Sequence, residues 1–149
     1  MSMSNISDLE FRESVPDASD YLALFESTGW NREYRLSAGE LQNAMRRSWY
    51  LVTAYDGGQL VGSGRIISDG VFHGLIVDVI VSPSYQKRGL GTAIMQRLLE
   101  HCRAHHIRDV QLFCAAGKAS FYARLGFVRR HEDAPGMDFR GHLPDCRES

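Results

Sequence analysis

The chain is 149 residues long, the size of one domain with a core of its own. Its formal net charge of −1 leaves no bulk positive field and argues against generic nucleic-acid binding. No apolar run approaches the ~20 residues of a membrane helix, and the polar Met1–Asp8 stretch lacks the apolar segment of a signal peptide.

In chain order, Asp8–Val15 reads as a first strand broken by Pro16, and Ala18–Ser27 as a helix with Tyr21, Leu22, Leu24 and Phe25 as its apolar stripe. Gly29 and Asn31 punctuate a turn. Ser37, followed three residues later by Glu40, is a capping-box signature for a helix over Ala38–Arg47. Trp49–Tyr55 and Gln59–Ile67 are strand-like runs around Asp56-Gly57-Gly58, a hairpin signal. Phe72–Val81 is a longer strand. Alternation sets Leu75, Val77, Val79 and Val81 on one face, and Ile76, Asp78 and Ile80 on the other.

After Ser82-Pro83 and a loop comes an amphipathic helix, Gly89–His105, with Leu90, Ile94, Leu98 and Cys102 at four-residue spacing. Asp109–Cys114 is a strand, and Lys118–Leu125 a short helix ended by Gly126. Phe127–Arg130 and Met137–Phe139 read as two last strands. Strands and helices in this order imply an α+β domain over 1–149, a three-layer arrangement with a mixed, mostly antiparallel sheet flanked by helices.

Asp78 through Thr92 holds the chemistry. A buried strand runs through a turn into a helix N-terminus, where free N–H groups and the helix dipole favour an anion. Gly89 and Gly91 let a phosphate approach the backbone, and Lys87 and Arg88 add charge. The loop lacks the Gly-Lys-Ser/Thr end of a P-loop, and Ile94 stands where a Rossmann fingerprint needs Gly or Ala. What remains is Gln-x-x-Gly-x-Gly after a strand ending in Val-x-Pro.

On these residues the sequence resembles the GNAT superfamily of N-acetyltransferases. Gln86-Lys87-Arg88-Gly89-Leu90-Gly91 matches that family's acyl-CoA signature. Phe121-Tyr122-Ala123-Arg124-Leu125-Gly126-Phe127 is similar to its F/L-Y-x-x-x-G-F segment, one helix and one strand downstream. Ser27–Trp30, Asp78–Gln86 and Pro135–Met137 are similar to bacterial and plastid members, some of which acetylate arylalkylamines and others protein amines.

The resemblance implies a GNAT-like acyl-CoA N-acyltransferase fold and acetyl transfer from acetyl-CoA to a primary amine in a ternary complex. The acceptor is a small molecule or a peptide amine. It implies a bulge near Val79–Val81 whose freed backbone groups, with those of Ile80, pair with the pantetheine arm. Backbone amides from Gln86 and Lys87 through Arg88, Gly89, Leu90, Gly91 and Thr92 would hold the diphosphate. Tyr122 is the family-matched general acid for the leaving thiolate, although without the motif a half-buried helix tyrosine packing on the core is the better reading. Lys118 and Arg124 are candidates for the coenzyme's phosphates or for a solvated face.

Asp78 is the candidate base, directly or through a water, against the alternative of a carboxylate paired with an arginine such as Arg65. Ala115 stands where many members carry Asn, so a polar group supplied there in relatives is missing. A homodimer is a family-level expectation.

Other features carry blander readings. His101, His105 and His106 fit a surface helix end without a metal. Cys114 fits a small buried hydrophobe. Trp30, Trp49 and Tyr50 fit core packing or an acceptor pocket. Cys102, Cys114 and Cys146, without a C-x-x-C pair, imply neither a disulfide framework nor a zinc site, and a cytoplasmic setting is expected. Two further readings are a non-catalytic acyl-CoA-binding regulatory module and a Rossmann-type NAD domain.

Overall fold

A computed structural model describes residues 5–140. Cys146 and Met1–Ser4 lie outside them. The chain divides into two compact units, one running through Cys114 and the other beginning at Ala115.

The first unit is built on a five-stranded sheet in the order β1-β2-β3-β4-β5. Its strands are β1 (Glu10–Arg12), β2 (Tyr50–Asp56), β3 (Gln59–Ser68), β4 (His73–Val81) and β5 (Asp109–Leu112). All neighbours are antiparallel except β4 and β5. The parallel pair needs a crossover, which helix α4 (Leu90–Ala104) supplies. Gly57 and Gly58, both at positive φ, close the β2–β3 hairpin as the glycine pair implied.

Helices cover both faces. On one lie α1 (Ala18–Glu26) and α3 (Ala38–Arg46), whose Tyr21, Leu24, Phe25, Leu41 and Met45 pack with Leu51, Tyr55, Leu60 and Ile80 of the sheet. The α3 capping box forms as read: Ser37 Oγ accepts from the Glu40 amide and Glu40 Oε1 from the Ser37 amide, each at 3.1 Å. On the other face, buried Leu90, Ile94, Met95, Leu98 and Cys102 seat α4 across β2, β3 and β4. Gly62 and Gly64 make that approach possible: a Cβ on Gly64 would stand 2.9 Å from Ile94 Cγ2 and 3.0 Å from Leu98 Cδ1.

Several elements depart from the periodicity. The first strand is only Glu10–Arg12, because Ile6–Asp8 closes into a 3-10 turn through Asn5–Asp8 hydrogen bonds that compete with the ladder. A one-turn helix, α2 (Asn31–Tyr34), stands where a turn was expected. It is held by Trp30 packing edge-on to Phe25 and by the buried Asn31 amide, which bonds Glu26 Oε1 and the backbone of Leu36.

The second unit contains α5 (Ala119–Ala123). Phe127–Arg130 and Met137–Phe139 are not strands: each run is short, finds no ladder partner among the described residues, and leaves Val128 and Met137 largely exposed. Cys114 is likewise exposed, not the buried hydrophobe expected, because it follows the last residue of β5 and has left the sheet.

Candidate active site

The site is organised by an irregularity in β4. Ser63 pairs with Ile80 and Arg65 with Val77, so Gly64 alone faces both Asp78 and Val79. This is a β-bulge, with Asp78 in the left-handed region at φ +53°. The resemblance implied a bulge near Val79–Val81; it lies one residue earlier. The inserted residue also breaks the expected alternation. Ile76, opposite Ile66 and beside Gly74, is on the α4 side, whereas Asp78 joins Arg65 and Ile80 on the α1/α3 side. Val79 turns to the α4 side, its Cγ2 3.5 Å from where a Gly64 Cβ would be.

Asp78 is paired. Its Oδ2 accepts from Arg65 Nε at 2.9 Å, and Arg65 Nη1 reaches the Ala44 carbonyl and Ser48 Oγ on the α3 side, both at 3.4 Å. The ion pair is half-buried, with 15% of the arginine side chain and 27% of the aspartate side chain exposed. Burial and the Asp78 charge push the nearby Tyr21 hydroxyl pKa upward, partly offset by Arg65. The alternative of an arginine-paired carboxylate is thus realised with the arginine the sequence singled out.

β4 and β5 separate just before the bulge. Their pairing ends at Ile76 opposite Leu112, yet β4 continues to Val81. Val77–Val81 therefore present, on the β5 side, a backbone edge, bent at Asp78, without a strand partner among the described residues. The edge leads straight into the loop. The Ser82 amide donates to the Val61 carbonyl at 2.8 Å, a 3-10 turn spans Pro83–Tyr85, and Gln86 Nε2 donates back to the Val81 carbonyl at 3.1 Å.

Lys87 (φ +62°) and Gly89 (φ +88°) both turn left-handed, and α4 starts at Leu90. Leu90 is fully buried and anchors that first turn, while no side chain caps it. The Ala93 amide takes the Gly89 carbonyl, which leaves the amides of Leu90, Gly91 and Thr92 without a hydrogen-bond acceptor among the described residues. One end of the strand thus offers a ladder edge and the adjoining helix offers three amides on a positive dipole end.

Tyr122 lies on α5, in the second unit, and Lys118 and Arg124 flank that helix as its N-cap and C-cap residues. The Phe-Tyr-x-x-x-Gly-Phe pattern has a local physical cause. The Phe127 amide donates to the Tyr122 carbonyl at 3.1 Å and the Gly126 amide to that of Ala123 at 3.1 Å, with Gly126 at φ +98°. That is a Schellman end, and the 6.0 Å Tyr122–Phe127 ring contact is its apolar clasp. Tyr122 is half-buried, and Lys118 and Arg124 are exposed. Arg124 Nε donates to the Ser120 carbonyl at 3.3 Å.

The aromatic residues do not form one pocket. Trp30 packs on the α1/α3 core, while Trp49 and Tyr50 meet His101 at the end of α4, where the Tyr50 and His101 rings stack at 3.6 Å. No group of three or more potential metal ligands exists among the described residues. No helix among them is long and apolar enough to cross a membrane. Sequence reasoning passed over Gly64, Asp56 and Tyr85. The Gly62-Ser63-Gly64 spacing inside a strand was the available signal for the first, since such glycines mark close backbone approach.

Known proteins resemble this chain in sequence and in fold. The family model described as "Acetyltransferase (GNAT) family" matches residues 2–127. A soybean (Glycine max) protein named histone acetyltransferase TAP1 is 30% identical over 132 residues, covering 81% of this chain and 56% of the relative. The rice (Oryza sativa subsp. japonica) serotonin N-acetyltransferase 2, chloroplastic, is 37% identical over 82 residues, covering 55% of this chain and 41% of that one. The chain thus spans about half the length of these curated relatives. A GNAT-family acetyltransferase from Streptococcus pneumoniae superposes with a TM-score of 0.76 at 27% identity, over 91% of this chain and 99% of that one.

Proposed function

The chain belongs to the GNAT acetyltransferase family, and from that premise we propose that it transfers the acetyl group of acetyl-CoA to a primary amine by direct attack in a ternary complex. The observation that carries the proposal is the continuity of β4's unpaired edge, Val77–Val81, with the uncapped amides of Leu90, Gly91 and Thr92. An amide-bearing pantetheine arm completes such an edge as a strand would. A diphosphate suits the helix end beside it. Gln86, Lys87, Arg88 and Gly89 line the same turn, and Lys118 and Arg124 are assigned to the remaining phosphate charge. We read both units as one acetyltransferase domain, because the family match runs across them.

In the reaction, the amine nitrogen attacks the thioester carbonyl carbon. The C–N bond forms, the C–S bond breaks, the thiolate takes a proton from the Tyr122 hydroxyl, and the remaining proton shed by the new amide nitrogen restores the Tyr122 phenol. Backbone N–H groups at the bulge, beside Val79, Ile80 and Val81, are assigned to polarising the carbonyl. The proton lost by the ammonium goes to Asp78, through the oxygen that Arg65 does not hold or through a water. The ion pair favours a second reading, in which Asp78 orients β4 and bulk water takes the proton.

The acceptor is proposed to be a small molecule. The name of the rice relative supports that class, and that of the soybean relative supports a protein amine. A cytoplasmic setting is retained from the cysteine usage, with a plastid as the alternative suggested by the rice name. Calorimetric titration with CoA and an amine panel with acetyl-CoA, read by released thiol, test the assignment. Binding without transfer to any amine would make the chain an acyl-CoA-binding module; NAD binding in place of CoA would sink the whole reading.

A further inference from the structure

The loop between β4 and α4 is tied to the fold at a second point. Asp56, the last residue of β2, opens the β2–β3 hairpin turn. Its Oδ2 accepts a short hydrogen bond from the hydroxyl of Tyr85, which ends the 3-10 turn before Gln86. That bond pushes the tyrosine pKa upward. The other side of the tyrosine also has a partner: Arg88 Cζ lies 4.9 Å from the centroid of the Tyr85 ring, and Arg88 Nη2 donates to the Ser84 carbonyl at 2.7 Å. Three side chains, Asp56, Tyr85 and Arg88, thus run from a hairpin embedded in the sheet to the residue that adjoins Gly89.

The loop has a physical need for such an anchor. Among the described residues, its backbone bonds beyond the Ser82–Val61 rung are local, within 82–86, until Ala93 joins the helix. Lys87 holds a left-handed conformation that a non-glycine residue rarely keeps without outside support. Amides bind an anion well only when they are already aimed, since ordering them on binding consumes affinity.

We propose that Asp56 and Tyr85 are positioning residues for the donor's diphosphate: together they hold the loop and the Arg88 guanidinium in the conformation that binds it. The inference rests on the acetyl-CoA reading above and adds to it a cause for the loop's shape. The tether acts on the diphosphate, the group nearest Gly89, and not on the coenzyme's 3′-phosphate. It makes no contribution to the chemical step.

The test measures Kd for CoA and for dephospho-CoA, together with kcat, KM for acetyl-CoA and the melting temperature. In Tyr85→Phe, both Kd values and the KM are expected to rise about fivefold to tenfold, the scale of one lost charge-assisted hydrogen bond, with kcat at saturation retained. Asp56→Ala should match it, the double variant should be no worse than either single one, and Asp56→Asn, which still accepts from the phenol, should restore part of the affinity.

Unchanged Kd in Tyr85→Phe overturns the proposal, as does a loss that tracks melting temperature and appears equally in kcat. A loss confined to CoA and absent for dephospho-CoA overturns the assignment to the diphosphate. Failure of the wild-type protein to bind CoA overturns the acetyl-CoA reading and this inference with it, and is told apart because it needs no variant.

Discussion

Arg65 and Asp78 meet across the β-bulge, Nε to Oδ2 at 2.9 Å, on the face of the sheet that α3 covers. The pair exists because the bulge keeps Asp78 on the side of Arg65 while sending its neighbour Val79 to the α4 side. Removing either partner leaves a half-buried charge uncompensated. Asp78→Asn and Arg65→Gln are each expected to cost about 1–3 kcal/mol, between exposed and fully buried pairs, with the double variant costing less than the sum. Chemical denaturation measures this. The pH–rate profile of Asp78→Asn then separates the two roles: loss of the acidic limb of kcat/KM marks a base, and an unchanged profile marks an orienting residue.

Tyr122→Phe keeps the ring that clasps Phe127 and removes the hydroxyl alone. If that hydroxyl protonates the thiolate, kcat should fall about 10²–10⁴-fold while CoA affinity and unfolding free energy stay near wild type. A variant with wild-type turnover would return Tyr122 to the packing role its Schellman position already explains.

The two loop glycines should respond differently. Gly89 sits at φ +88°, so even Gly89→Ala strains the backbone and couples lost binding to lost stability. Gly91 lies within the first turn of α4, where Gly91→Val is expected to leave the helix intact and to crowd the anion-binding amides. CoA affinity in Gly91→Val should drop at least about tenfold, as one lost anion contact implies, with circular dichroism unchanged.

Gly64→Ala tests the packing that supports the bulge. The added methyl would stand 2.9 Å from Ile94 Cγ2 and 3.0 Å from Leu98 Cδ1. Ile94 is fully buried. A loss of about 1–3 kcal/mol is expected from such overpacking, read by urea titration.

His101 provides a pH prediction. Burial against Tyr50, then the charge of His105, lowers its pKa below the ordinary 6.5, with Glu13 acting weakly the other way. The unfolded chain therefore binds the proton more readily. This contribution is absent well above pH 6.5 and becomes destabilising as pH falls through the unfolded pKa toward the lower folded one. His101→Phe, which keeps a stacking ring, should lose less melting temperature between pH 7.5 and 5.5 than the wild type does; an equal loss in both proteins would refute the effect.

Much of this protein is local, and local features are legible in a sequence. The Ser37–Glu40 cap, the Gly57-Gly58 hairpin, the apolar stripe of α4 and the Gly126 stop each depend on residues a few positions apart, so spacing alone determines them. The family motifs were legible for the same reason: an uncapped helix start and a Schellman end are short-range structures.

What only the tertiary structure decided depends on partners far along the chain. Gly64 meets both Asp78 and Val79, which reverses the face of every β4 side chain before the bulge relative to simple alternation. The partner of Asp78, the Asp56 anchor of Tyr85 and the lack of strands over described residues 127–140 follow from which segments the fold brings together. A strand's period of two registers only its own residues, so an inserted residue or a missing ladder partner leaves no trace in it.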